Sequence, residues 1–192
     1  IPDEYKSRMT HVADFYMDLS WRHQYCGIET LTLDGVVCYF IDNEYYFKRP
    51  QPYGYYDDGE RIAFFAKAVL DCIPHLPDFV PDIIHCNDWH TALTPVYLKS
   101  RSRTGVYQNI KPVFTIHNLK FQGLFSRACT GDVLGLSDEE AEHAGLFCSE
   151  GLNYLKGGVC CSDALTTVSP SYADEICTAF YGEKLDDVFR GR

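Results

Sequence analysis

Three short clusters in this 192-residue sequence gather side chains able to do chemistry: Asn87-Asp88-Trp89-His90, His117-Asn118 and Ser169-Pro170-Ser171. Each follows a short apolar run. Spacing alone names no reaction, and most of these residues have a simpler role open to them. Asp88 has the form of a cap for the helix that follows it, Trp89 and His90 can serve as packing, and Ser169 before Pro170 reads as a helix N-cap whatever else it does. His85, inside an apolar run, reads as a satisfied core histidine. His117 is different, because a His-Asn pair directly after a buried strand, with Gln122-Gly123 beyond it, meets no capping or packing need. It is the best single functional candidate.

Two other patterns imitate anion sites. The basic run Lys99-Ser100-Arg101-Ser102-Arg103 ends a helix that runs back from the carboxyl end of a strand, so it reads as a solvated loop on the opposite edge of the sheet. Lys156-Gly157-Gly158 lacks the preceding strand and glycine-rich turn whose amides would face a phosphate, and its glycines read as the end of a helix. A metal-dependent hydrolase stays open as an alternative, with His85, Asp88, His90 and His117 as ligands from two adjacent strand ends.

The elements that must position these clusters are legible as a strand-then-helix alternation. Asp82 to Cys86, Pro112 to Ile116 and Ala164 to Val168 are short apolar runs that predict buried strands. Between them lie helical segments around Thr91 to Lys99, where Pro95 fits only near the first turn, and around Leu152, Leu155 and Val159. Such alternation predicts an α/β, Rossmann-like parallel sheet covered on both faces, with the three clusters on one rim. Ligands of open parallel sheets bind outside the carboxyl ends of the strands. Ahead of the sheet, His11 to Trp21 and Ile28 to Asn43 predict a β-rich entry with a hairpin turn at Asp34-Gly35. Asp57 to Glu60 has capping-box form before a helix whose Ile62, Phe65, Val69 and Ile73 make a core-facing stripe, and Ser137 to Glu140 repeats the box.

Composition limits what the clusters can serve. A hydrophobic share of 46% with 14 Tyr and 12 Phe supplies a core for one module, without internal repeats. The formal charge of -10 repels phosphate backbones and anionic lipid heads, so neither nucleic acid nor membrane is an expected partner. No apolar run approaches the roughly 20 residues of a membrane span, and the first residues lack signal-peptide form, which predicts a cytoplasmic protein. Nine cysteines, an odd number with no Cys-x-x-Cys pair, predict reduced thiols rather than a disulfide framework or a zinc cluster. The charged start and the helical look of the last residues suggest that both ends were cut from a longer chain.

Taken together, His85-Cys86-Asn87-Asp88-Trp89-His90-Thr91, Phe114-Thr115-Ile116-His117-Asn118-Leu119 with Phe121-Gln122-Gly123, Leu155-Lys156-Gly157-Gly158 and Thr167 to Ile176 resemble bacterial glycogen synthases and plant starch synthases in order and separation. Tyr53-Gly54 and Phe40 to Tyr46 extend the likeness over essentially the whole chain. The resemblance implies the GT-B arrangement, in which two Rossmann-like domains face each other across a cleft. Residues 1–192 would be a partial N-terminal, acceptor-side domain without its first strand and Lys-x-Gly-Gly loop, and the C-terminal nucleotide-sugar domain would be absent. It further implies glucosyl transfer with retention from ADP-glucose or UDP-glucose to the non-reducing end of an α-1,4-glucan, without cofactor or metal. His117 and Asp88 would be the catalytic pair, with Asn118, Gln122, Tyr53, His90 and Ser169 binding substrate. Short directional donors and acceptors beside aromatic faces suit a sugar. The fragment alone is expected to be catalytically silent, which leaves a non-catalytic glucan-binding module as the alternative for the chain by itself.

Overall fold

The computed structural model describes residues 1–101 and 105–192. A short helix α1 (Asp3–Lys6) leads into an antiparallel sheet of β1 (Thr10–Leu19), β2 (Arg22–Leu33) and β3 (Val36–Asp42). The β2–β3 turn is the expected one: Asp34 and Gly35 both have positive φ, 49° and 82°, as a type I′ turn requires. β2 starts earlier than its apolar run, since Arg22 to Gly27 pair with β1 while presenting His23 and Tyr25 outward.

Helices α2 (Glu44–Phe47) and α3 (Asp58–Cys72) follow. The capping box expected at Asp57 does not form. Asp57 makes no side-chain cap, because Arg49 takes its carboxylate at 2.7 Å, and Glu60 turns instead to the Tyr46 hydroxyl (2.6 Å) and Arg22 Nε (2.9 Å). The stripe Ile62, Phe65, Val69 is only half-buried; Phe65, Val69 and Ile73 line an apolar hollow of about 230 Å³ with Ile28, Tyr39 and Ile41. The most buried face of α3 is instead the one carrying Ala63, Phe64, Ala66 and Leu70.

The second half is the parallel sheet. β4 (Ile83–Asn87), β5 (Lys111–Ile116) and β9 (Ala164–Thr167) pair in the order β4-β5-β9, all parallel. A single 3-10 turn (Trp89–Thr91) and α4 (Leu93–Arg101) follow β4. The β5–β9 crossover holds the small sheet of β6 (Leu124–Phe125), β7 (Phe147–Cys148) and β8 (Gly151–Asn153), then α5 (Cys129–Asp132), α6 (Asp138–His143) and α7 (Tyr154–Cys161) in their chain positions. After β9 come α8 (Pro170–Ile176) and α9 (Asp186–Arg190). The Ser137–Glu140 capping box is complete, and Ser169 caps α8 with Pro170 in its first turn.

Two expectations are corrected here. Gly157 and Gly158 do not end a helix but lie inside α7, where a Cβ on Gly158 would stand 2.8 Å from that of Ala92. They let α7 approach α4. The parallel sheet, moreover, is covered mainly on the side of Cys86, Phe114 and Ile116, toward α4 and α7. On the other side Ile83 is 60% exposed and His85, Ala164 and Thr166 are exposed, so His85 is no core histidine. Its Nε2 meets Thr115 Oγ1 at 2.6 Å, and Thr115 meets Thr166 Oγ1 at 2.5 Å, a polar ladder across three strands. Of the basic run, Lys99 to Arg101 finish α4 with Arg101 bonded to Asp71, and Ser102 and Arg103 lie outside the described residues.

Candidate active site

The parallel strands end on one rim, and the chain there folds back on itself. β4 leaves its pairing at Asp88, whose N–H still donates to Thr115 O at 3.0 Å while its φ of 56° and ψ of -179° fall in a region that side-chain-bearing residues rarely visit. Holding such a conformation costs about 1–3 kcal/mol, and strain of that kind gathers at functional sites. What the strain achieves is visible in the carboxylate. Asp88 Oδ1 accepts the backbone N–H of His117 at 2.8 Å and of Asn118 at 3.3 Å, tying the end of β4 to the end of β5. Thr91 closes the turn, its Oγ1 donating to Asn87 O and accepting the Asn87 N–H. Asp88 thus heads the Trp89–Thr91 turn without any side-chain cap of its own, since its oxygen points across the rim instead.

His117 and Asn118 are exposed, and His117 Nε2 pairs with Asn87 Oδ1 at 2.9 Å. Asn118 Oδ1 accepts the Lys120 N–H, and Leu119 N–H donates to the Tyr172 hydroxyl of α8, so all three strand ends contribute to one loop cluster. Beside it lies a hollow of about 180 Å³ lined by Tyr53, Asp88, Trp89, His90, Asn118 and Phe121. The rings of Trp89 and His90 stand 4.2 Å apart, and Tyr53 leans on His90 at 5.6 Å with a 43° tilt. Burial holds the His90 imidazole below the ordinary histidine value, against the upward pull of the Asp88 and Asp58 carboxylates. A neutral imidazole between rings and a carboxylate can both donate and accept hydrogen bonds. Beneath the rim, burial pushes the Cys86 thiol up to about 12, which keeps it a packing group.

Of the residues singled out from sequence, Tyr53, Asp88, His90 and Asn118 share the hollow and His117 adjoins it through Asp88. Gln122 does not face it. Its Oε1 accepts from Asn153 Nδ2 at 2.5 Å and its Nε2 donates to Glu183 O at 3.0 Å, so both ends of the amide are occupied in bracing the loop. Ser169 sits at the third strand end but its hydroxyl accepts the Tyr172 N–H as an N-cap. Phe121, 60% exposed, takes the wall position instead. From sequence Trp89 reads as a residue that can serve as packing and Phe121 has no assigned role; the one signal is their position inside the clusters. Among the described residues no group of three or more His, Cys, Asp or Glu is close enough to hold a metal ion, and His85 is directed to Thr115.

Larger hollows occur elsewhere, two of them of about 560 and 590 Å³, but neither of these joins two of the strand-end clusters.

The sequence model of the starch synthase catalytic domain matches residues 1–191. This chain belongs to the starch synthase catalytic domain family. Among curated members of that family, a glycogen synthase of Desulfitobacterium hafniense is 50% identical over 193 residues, covering all of this chain and 41% of that protein. A glycogen synthase of Geobacillus stearothermophilus is 50% identical over 195 residues, covering all of this chain and 40% of the relative. The chain therefore spans about two fifths of the relatives it matches. The catalytic domain of Starch Synthase IV from Arabidopsis thaliana, bound to ADP and acarbose, superposes with a TM-score of 0.83 at 28% identity, over 95% of this chain and 38% of that one. The α/β, Rossmann-like sheet is thus the family fold, a portion of the GT-B architecture. No helix among the described residues is long and apolar enough to cross a membrane.

Proposed function

We propose that this chain is the acceptor-side, N-terminal part of a glycogen or starch synthase, a cytoplasmic retaining glucosyltransferase that moves glucose from ADP-glucose or UDP-glucose to the non-reducing end of an α-1,4-glucan. One observation carries the reading: Asp88 is held in a strained backbone so that its carboxylate organises His117 and Asn118 at the lip of a hollow walled by rings and an amide. That is the equipment a sugar needs, aromatic faces for its C–H surfaces and short polar groups for its hydroxyls.

In this scheme His117 contacts the transferred glucose close to its anomeric carbon. Asp88 fixes the height of that loop and lines the acceptor side. Asn118, His90 and Tyr53 form the wall, Gln122 braces it from behind, and Ser169 keeps α8 under the third strand end. The departing nucleoside diphosphate needs cations or helix N-termini to meet its developing charge. With a formal charge of -10, this chain leaves that task to a second, donor-binding lobe.

The test is transfer itself. The full-length protein carrying this segment, given radiolabelled ADP-glucose or UDP-glucose and glycogen, is expected to put label into polymer as α-1,4 linkages with no change of anomeric configuration. Absence of label from either donor sinks the reading. The 192-residue chain alone is expected to retain maltooligosaccharide without transferring glucose, and robust incorporation by it would overturn the division into lobes.

A further inference from the structure

The loop between α2 and α3 projects Tyr53 over the hollow, and little apolar packing holds it there. Pro50 to Gly54 and Tyr56 are exposed, Tyr53 by 60% and Tyr56 by 98%. What grips the loop is a polar clamp in the first turn of α3. Asp58 Oδ2 accepts the backbone N–H of Gly54 at 2.5 Å and of Tyr55 at 3.0 Å. Arg61, only 4% exposed, donates to Asp58 Oδ1 at 2.5 Å, to Pro52 O at 3.1 Å and, through Nε, to Tyr46 O at 2.7 Å. Its guanidinium and that of Arg49 lie 5.0 and 5.1 Å from the centre of the Tyr55 ring, whose hydroxyl accepts the Gln51 N–H.

A buried ion pair is a weak way to gain stability, because desolvation offsets most of the attraction. It is a good way to specify one geometry. Among the described residues, the side-chain hydrogen bonds that the clamp makes outside itself end on backbone flanking Tyr53 or on the end of α2. Only one side chain on that loop, Tyr53, reaches the hollow.

We propose that Asp58 and Arg61 are positioning residues for acceptor recognition: by fixing the backbone at Pro52, Gly54 and Tyr55 they hold the Tyr53 phenol against His90, where it meets a sugar ring of the acceptor. This rests on the glucosyltransferase reading above. Gly54 gives an independent handle. Its φ is +100° and a Cβ there would meet nothing within 4 Å, so Gly54→Ala strains the loop without touching the core.

The experiment measures initial rates of the full-length protein with varied maltooligosaccharide and varied nucleotide sugar, for Arg61→Lys, Gly54→Ala, Tyr53→Ala and the double variant Gly54→Ala with Tyr53→Ala. Each single variant is expected to raise the acceptor KM about tenfold, with donor KM unchanged and kcat within about threefold. The double variant is expected to match Tyr53→Ala alone, since residues acting through one contact are not additive. If Arg61→Lys does not fold, Gly54→Ala carries the comparison by itself. Multiplying effects in the double variant, an unchanged acceptor KM, or a loss confined to kcat overturns the proposal while leaving the glucosyltransferase reading intact. A wild-type protein that transfers no glucose overturns both.

Discussion

Asp88 reaches His117 through the backbone, not through the ring: its Oδ1 accepts the His117 N–H at 2.8 Å while the imidazole turns to Asn87. The carboxylate therefore sets where the histidine stands. Two losses compete when Asp88 is truncated. Asp88→Ala abandons two amides and keeps the strained φ of 56°, whereas Asp88→Gly abandons the same amides and relieves the strain. The strain is about 1–3 kcal/mol against about 0.5–1 kcal/mol for the extra backbone freedom of glycine, so the strain decides. Asp88→Gly should melt above Asp88→Ala, with both impaired in transfer. Thermal melts of the two variants check this, and the reverse order would show that the backbone is not strained.

His117 is exposed and, among the described residues, its ring has one hydrogen-bond partner. His117→Ala should change stability by less than about 1 kcal/mol, as surface substitutions do, while lowering kcat of the full-length protein by on the order of 100-fold. Circular dichroism with steady-state rates separates the two quantities. Unchanged turnover removes His117 from the reaction.

His90 should titrate below the ordinary value of about 6.5 because burial disfavours its charged form. Its contribution to stability is then fully present above pH of about 6.5 and is lost as pH falls through the folded value. Asp88 pulls the other way, so Asp88→Asn should move the His90 midpoint lower still. Imidazole proton shifts followed by NMR read both. A midpoint above that of a free histidine is the contrary result.

Gly158→Ala pits helix propensity against packing. Alanine in a helix interior gains about 1 kcal/mol over glycine. The new methyl, however, would stand 2.8 Å from Ala92 Cβ and 2.9 Å from Ala92 O, at a fully buried residue whose contacts include backbone. Overpacking costs about 1–3 kcal/mol, so the variant should be net destabilised. A urea midpoint at or above that of the parent would mean α7 and α4 can separate without loss.

How much of this was readable beforehand depended on whether a residue's role was local. The strands β4, β5 and β9, the Asp34-Gly35 turn and the Ser137 box follow from runs and spacings within a few residues, and they formed. The meeting of Asp88 and His117 on one rim followed from parallel topology. What failed was decided by distant partners: Arg49 diverts Asp57 from its cap, and Ala92 explains glycines that otherwise read as a helix end. Just before the turn at Gly123, the adjacent Phe121 and Gln122 point different ways, one to the hollow and one to Asn153 and Glu183. Sequence order does not say which. The open face of the parallel sheet was also beyond reach, because strand hydrophobicity does not report which helices lie on which side.

The indole of Trp89 lies so close to Gly123 that a Cβ there would be 2.5 Å from the ring, and the carbonyls of Gly123 and Gln122 accept the N–H groups of Tyr154 and Leu155 as α7 begins. The far wall of the hollow is therefore anchored to the buried start of α7 before any guest arrives. On the proposed reading, a sugar entering against it would meet a wall already in place, and the entropy lost on association would fall chiefly on the flexible oligosaccharide.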